Sequence, residues 1–249
     1  MTVDLSGRVV LVTGGTKGLG RGIADAFRTA GADVLVCARN APEPAIDGFV
    51  AADLRDPQSA SAVVAATVER FGRLDVVVNN AGGAPPAPAA DASPNFVGKV
   101  IGLNLLAPLY VAQAAYKVMA QQAEGGVIIN IGSLSGHRPS PGSSAYGAAK
   151  AGLSNLTATL AMEWAPKVRV NEVVVGYLET EQSGLFYGDE AGIARVAETI
   201  PMKRMAQPSD VAAACVFLAS PDAAFVTGAQ LAVHGGGEPP PFLSAAQRD

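Results

Sequence analysis

Along this chain, short uninterrupted apolar runs alternate with longer segments whose apolar residues recur every three or four positions. Residues 9–12 (VVLV) are apolar throughout, as a strand buried on both faces requires. Ile23, Ala24, Phe27 and Ala30 follow at helical spacing, and Gly31 stands where a helix should end in a left-handed residue. Residues 34–37 and 49–52 read as the second and third strands. Asp56-Pro57 supplies an N-cap and a proline at the first helical position. Val63, Val64, Thr67, Val68 and Phe71 make the inner stripe of the helix it starts, and Gly72 ends it. Residues 74–78 form a fourth strand. Ser93-Pro94 opens a helix through Phe96, Val100 and Leu103, and a separate helix covers 109–122. The pattern then predicts a strand at 127–131, a helix at 144–164, a strand at 168–175, a mixed, partly helical stretch over 178–207, a helix at 209–218 and a last strand at 230–233.

Strict alternation of strands and helices predicts a doubly wound parallel sheet of Rossmann type, an α/β domain with helices on both faces and right-handed crossovers. The 249 residues suit one such domain, and no repeat or interdomain linker breaks them. Pro85-Pro86-Ala87-Pro88 and Pro239-Pro240-Pro241 read as a loop and a tail. Charged residues make up only 16%, against 49% hydrophobic, which argues against disorder. A net charge of −4 without a basic block argues against nucleic acid as a partner. Without 18 consecutive apolar residues or a basic, cleavable N-terminal segment, the expectation is a soluble cytoplasmic protein with no membrane span. Cys37 and Cys215 sit in apolar runs and read as core filler. His137 and His234 stand far apart, and no metal site is expected.

The segment Thr13-Gly14-Gly15-Thr16-Lys17-Gly18-Leu19-Gly20 falls between the first strand and the first helix. Glycines there allow a tight turn and close approach of backbone N–H groups to a pyrophosphate, and the helix turns its positive end to the same anion. The end of the second strand decides which dinucleotide fits. A carboxylate would take the adenine ribose 2′-hydroxyl and repel a 2′-phosphate, but this chain has Cys37-Ala38-Arg39-Asn40. With Arg39 and Lys17 supplying positive charge, the expected cofactor is NADP(H).

Ser133 follows the fifth strand, at the carboxyl edge of the sheet where ligands bind in such folds. Tyr146 and Lys150 are four apart and share one helix face. A phenol titrates near 10, too high for a base at neutral pH. An ammonium roughly 4 Å away in a partly desolvated site would favour the phenolate by about 4 kcal/mol, or nearly three pKa units. On that expectation Tyr146 exchanges a proton near pH 7 while Ser133 donates a hydrogen bond to the substrate oxygen.

Taken in order, residues 13–20 (TGGTKGLG), Asp53, Asn79-Asn80-Ala81-Gly82, Asn104, Ser133, Tyr146-Gly147-Ala148-Ala149-Lys150 and residues 168–171 (VRVN) resemble the short-chain dehydrogenase/reductase family over nearly the whole chain. The resemblance implies Tyr146 as general acid/base. It implies that Lys150 lowers the proton affinity of Tyr146 and holds the nicotinamide ribose, that Ser133 orients the substrate oxygen, and that Asn104 helps hold a proton-relaying water. It places Gly14, Thr16, Lys17, Gly18, Leu19 and Gly20 on the phosphates and Asp53 and Leu54 at the adenine. Asn80, Ala81 and Gly82 line the cofactor, and Leu178 and Thr180 meet the carboxamide. It further implies a lid at about 178–206, a C-terminal tail at 237–249 that reaches a neighbouring subunit, and a homotetramer built through the helices near 109–122 and 144–164. The activity implied is hydride transfer between NADP(H) and a small-molecule carbonyl or alcohol.

Three positions depart from the family pattern. Val175-Gly176 replaces a Pro-Gly, Glu172 interrupts an apolar strand, and His234-Gly235-Gly236 replaces an Asp-Gly-Gly-like turn. Leu185, Phe186, Tyr187, Ile193 and Met202 in the lid suggest a largely apolar substrate, such as a 3-oxoacyl, steroid-like or small ketone compound. The lid acids Glu179, Glu181, Asp189 and Glu190 argue against a large polyanionic carrier. The alternatives are a non-catalytic nucleotide-binding protein, or an isomerase or dehydratase on the same scaffold. The intact set of Ser133, Tyr146, Lys150 and Asn104 speaks against the first, and turnover-dependent nicotinamide absorbance separates the second.

Overall fold

The structure is a computed structural model that describes residues 3–181, 183–240, 242 and 246, with the backbone alone of Leu185 and Phe186. Seven strands form one parallel sheet in the order β3-β2-β1-β4-β5-β6-β7. The chain starts in the middle at β1 (Val9–Thr13) and crosses through α1 (Gly18–Thr29) to β2 (Asp33–Ala38) and the edge strand β3 (Phe49–Ala51). It returns through α2 (Pro57–Phe71) to β4 (Val76–Asn79) on the other side of β1. The second half runs through α3 (Pro94–Ile101), α4 (Ala107–Met119), β5 (Gly126–Ser133), α5 (Ser144–Trp164) and β6 (Val168–Val175). It ends with α6 (Gly184–Tyr187), α7 (Glu190–Thr199), α8 (Pro208–Ala219) and β7 (Gln230–Val233). This topology places a switch point between β1 and β4, where such sheets open a crevice at their carboxyl ends.

Alternate strand residues feed two core layers, which is why the strands read as continuous apolar runs. Val10, Val12, Val36 and Val78 pack against Ile23 and Phe27 of α1 and Val211 and Leu218 of α8. Leu11, Leu35, Val77 and Ile128 face Val63 and Val64 of α2, Val111 and Met119 of α4 and Trp164 of α5. Cys37 and Cys215 lie in opposite layers as free thiols, and burial pushes each up to about 12. The Asp56 carboxylate caps α2 by accepting from Gln58 N (3.2 Å) and Ser59 N (3.0 Å), and Gly72 ends the helix at φ 80°.

Two predicted helices turn out to be one. α3 and α4 are joined without a break by a π-helical turn, Gly102–Leu106, giving a 26-residue helix Pro94–Met119. Pro108 has no N–H to offer the Asn104 carbonyl four residues back, and its ring would crowd that turn. The wider π turn absorbs the misfit. By length and composition this helix could cross a membrane, with a mean hydropathy of 1.3 over its most apolar window; here it packs against α2, α5 and the sheet.

Residues 177–179 run beside Ala206, whose N–H donates to the Tyr177 carbonyl and whose carbonyl accepts from Glu179 N, both at 2.9 Å. After β7 the chain turns through Gly235, Gly236 and Gly237 at φ 65°, 97° and 80°, a sequence of left-handed residues that glycine alone adopts cheaply. His234, just before, packs on Gly176, where a β-carbon would come within 2.8 Å of its own. The VRVN motif has a structural task. Asn171 and Arg169 bond the Val226 carbonyl (2.9 and 3.0 Å), tying β6 to the loop before β7. Most of the tail beyond Pro240, and the side chains of Leu185 and Phe186, lie outside the described residues.

Candidate active site

At the switch point the glycine turn is pinned by the strand beside it. Thr13 Oγ1 accepts from the N–H groups of Asn80 (3.0 Å) and Ala81 (2.9 Å), and Asn80 Nδ2 donates back to the carbonyls of Thr13 (2.9 Å) and Gly14 (3.2 Å). Gly14, at φ 65°, comes so close that a β-carbon would stand 3.0 Å from Ala81 Cα. Gly15 has no room for a side chain either, with Val36 Cγ1 at 2.6 Å from its β-position. Lys17 caps α1 with backbone only, so no side chain of its own covers the first N–H groups of that helix.

A cleft of about 310 Å³ opens here. Gly14, Thr16, Lys17, Gly18, Leu19 and Gly20 line it together with Arg39, Asp53, Leu54, Asn80, Ala81, Gly82 and Thr180. Cys37 and Ala38, at the end of β2, line it as expected, and Leu103 and Ala52 complete it, unforeseen because they are apolar residues with no chemical signature. These residues fit a nicotinamide dinucleotide. The glycines leave a cradle that β-carbons would fill, and the helix end already holds an anion, since Glu181 Oε1 accepts from Gly18 N at 2.9 Å. Asp53 is committed to Arg55, whose Nε donates to it at 2.9 Å, and the hydrogen-bonded guanidinium holds its carboxyl down at about 2. Arg39 adds a weaker pull, and among the described residues neither Arg39 nor Lys17 forms an ion pair.

Because Glu181 accepts the N–H at the start of α1 and sets a negative charge beside the glycine turn, Glu181→Gln should tighten dinucleotide binding about two- to fivefold at low salt. Titration calorimetry reads this directly. An unchanged dissociation constant would mean that the two anions do not compete.

Leu178 does not line this cleft. Its pairing with Ala206 turns it into the core beside α8, and the cleft wall from this segment is Thr180.

Gly82 joins the cleft to the reacting groups. A β-carbon on it would lie 2.8 Å from Asn104 Oδ1 and 3.6 Å from Lys150 Nζ. Asn104 is fully buried in the π turn; Oδ1 accepts from Gly83 N (2.8 Å) and Nδ2 donates to the Val100 (2.9 Å) and Gly83 (3.1 Å) carbonyls. Lys150 Nζ donates to the Ile131 carbonyl at 2.7 Å and stands 5.7 Å from the centre of the Tyr146 ring.

Beyond Gly82 lies a second cavity of about 480 Å³, into which Ser133 and Tyr146 both open. Burial pushes the Tyr146 phenol above its ordinary value, and the hydrogen bond with Ser133 pulls it partly back. The Lys150 ammonium donates to the Ile131 carbonyl and lies on the ring side of Tyr146. Burial brings Lys150 itself down to about 8, opposed by Glu172.

Tyr187, from the segment expected as a lid, lines this cavity, whereas Arg138 and Tyr177 carried no signal in the sequence. Arg138 and Tyr177 also line it, and Glu238 from the segment after β7 binds the Tyr177 hydroxyl and the Arg138 guanidinium. Burial first, and then the Glu238 carboxylate, push the Tyr177 phenol up to about 12. Positions 138 and 238 are 100 residues apart, and nothing in their local sequence announces the pair.

The profile of a family described as enoyl-(acyl carrier protein) reductase matches residues 14–238. An oxidoreductase of Mycobacterium tuberculosis is 36% identical, over 93% of this chain and 92% of its own length. The 4-formylbenzenesulfonate dehydrogenase of Comamonas testosteroni is 38% identical, over 94% of this chain and 99% of its own. Among solved structures, a short-chain dehydrogenase/reductase of the glucose/ribitol dehydrogenase type from Brucella melitensis superposes with a TM-score of 0.86 at 31% identity, covering 95% of this chain and 98% of that one.

Proposed function

The chain belongs to the short-chain dehydrogenase/reductase family, an oxidoreductase with a nicotinamide nucleotide cofactor, and from that premise we propose that it transfers hydride between NADP(H) and a carbonyl or alcohol of largely apolar body. The observation that carries this reading is the convergence of the Ser133 and Tyr146 side chains on one cavity, with Lys150 and Asn104 meeting at Gly82 between that cavity and the glycine-lined cleft.

The bound nicotinamide nucleotide would supply or take up the hydride. The remaining work falls to side chains of this chain. Ser133 and Tyr146 hydrogen-bond the substrate oxygen, and their donors matter most as negative charge grows on it. Burial keeps Tyr146 protonated at neutral pH, so in the reducing direction it gives its proton to that oxygen and becomes phenolate, and in the oxidising direction the phenolate takes the alcohol's proton. Lys150 holds the nicotinamide ribose, and Asn104 orders the proton path beside it. Asp53 and Leu54 border the adenine.

Pro86, Leu134 and Val175, with the rings of Tyr177 and Tyr187, favour an apolar or aromatic substrate body. The aromatic aldehyde in the name of the Comamonas relative agrees with that. Residues 178–206 act as the lid. The reading includes a cytoplasmic homotetramer paired through α4 and α5, the second of which exposes Ser144, Ala148 and Ala151, with the C-terminal tail reaching a neighbour.

The test is a screen of carbonyls with NADPH and alcohols with NADP⁺, following nicotinamide absorbance. Turnover of at least one class is expected, and light scattering on the same sample should give four times the 25.2 kDa chain mass. Cofactor binding with no absorbance change across the screen would replace the oxidoreductase reading with a non-redox one. A monomer at micromolar concentration would overturn the tetramer.

A further inference from the structure

Glu172 stands in the middle of β6, fully buried, between valines and an asparagine. Its carboxyl lies over Gly132 of β5, so close that a β-carbon there would collide with Oε1. The neighbouring residue on that strand is Ile131, whose carbonyl receives Lys150 Nζ. Glu172 therefore sits one layer beneath the lysine of the site. Its Oε2 is buried without a hydrogen-bond partner among the described residues. Its Oε1 is 2.9 Å from Ser154 Oγ, one helical turn beyond Lys150 on α5.

Ser154 has three polar neighbours and one proton. Its hydroxyl lies 3.1 Å from the Lys150 carbonyl, 2.9 Å from Glu172 and 3.4 Å from Nε2 of His137, an exposed residue in the turn after β5. If Glu172 carries a proton, it donates to Ser154, which donates on to the Lys150 carbonyl. If Glu172 is ionised, Ser154 turns its proton to the carboxylate, and the Lys150 carbonyl, an ordinary helix acceptor, loses nothing it needs. Both states are satisfied at Oε1, and rotation of one hydroxyl switches between them. The bare Oε2 costs less in the protonated state, because an unpartnered buried charge is worse than an unpartnered carbonyl.

We propose that Glu172 is a positioning residue for Lys150, a buried carboxyl whose proton occupancy sets the charge beneath the ammonium of the active site. This rests on the oxidoreductase reading above. The charged or titratable groups acting on Glu172 are Lys150 from α5 and His137 from the turn after β5. Its strand partners, Asn130 on β5 and Gln230 on β7, are neutral. Burial pushes the carboxyl up, while Ser154, His137 and Lys150 pull it back. Loss of its proton leaves a carboxylate beneath the ammonium. The resulting negative charge then holds Lys150 charged beyond the pH at which burial alone would release its proton, extending the working range on the alkaline side.

The experiment is Glu172→Gln, which keeps the shape and a bond to Ser154, read in two ways. The ratio of variant to wild-type kcat/KM should fall about threefold between about pH 6 and about pH 9, as Lys150 discharges early. The second reading is thermal unfolding of the protein without substrate. Glu172 is raised in the folded state, so the wild type loses stability as pH climbs from the unfolded glutamate value through the folded one. The variant does not, and the difference in Tm, variant minus wild type, should grow as pH rises above the ordinary glutamate value of 4.5. A purely structural glutamate gives a constant offset in both readings, and either a flat Tm difference or superimposable rate profiles would overturn the proposal. Absence of turnover in the wild type defeats the oxidoreductase reading by itself, and the Tm series still decides whether Glu172 titrates as a buried acid.

Discussion

Tyr146→Phe should lower turnover by a factor of about 10² to 10⁴ while leaving dinucleotide affinity nearly unchanged. The substitution removes only the hydroxyl that opens, with Ser133, into the substrate cavity. The ring remains to fill its half-buried place on α5. Kinetics on a substrate found by screening, with calorimetry for the cofactor, make the comparison. Turnover within a few-fold of the wild type would remove Tyr146 from the chemistry. The direction of reaction adds a pH signature. Because burial raises the phenol, reduction needs the form present at neutral pH and should decline only under alkaline conditions. Oxidation needs the phenolate and should rise with pH over the same range. A pair of profiles with the same slope would contradict proton exchange at Tyr146.

The second large effect concerns which dinucleotide binds. Ala38 leaves the end of β2 without a carboxylate, and Arg39 and Lys17 border the same cleft with no carboxylate partner among the described residues. Asp53, the acid lining this cleft, is engaged by its bonds to Arg55. Two charge-assisted contacts to a 2′-phosphate should therefore favour NADPH over NADH by roughly 10- to 1000-fold. Salt should shrink the preference, since both cations are exposed. Ala38→Asp combined with Arg39→Ile should reverse it, because the new carboxylate repels the phosphate and accepts from a 2′-hydroxyl instead. Dissociation constants for both cofactors with the unaltered protein are the deciding measurement. Equal or tighter binding of NADH would show that the absent acid is a poor guide here.

The amino-acid sequence by itself determined the order of elements and the kinds of chemical group at the site. Apolar periodicity was enough to place α5 at Ser144–Trp164 and β6 at Val168–Val175, because both are long and buried along a regular stripe. The glycine turn and the residues Asn80 to Gly82 were legible because their conformations and close contacts exclude other residue types. Tertiary structure decided the rest. α3 and α4 fuse because a π turn at Asn104 absorbs Pro108, whereas proline in the local pattern predicts a break. Leu178 faces the core because residue 206, far along the chain, pairs with it. Arg138, Tyr177 and Glu238 meet only when the segment after β7 folds over the cavity. Proton affinities depended on tertiary structure most of all. Spacing brings Lys150 onto the same helix face as Tyr146, but its ammonium donates to the Ile131 carbonyl on β5. The charge each group carries follows from how much water its neighbours exclude, and those neighbours come from elements remote in the chain.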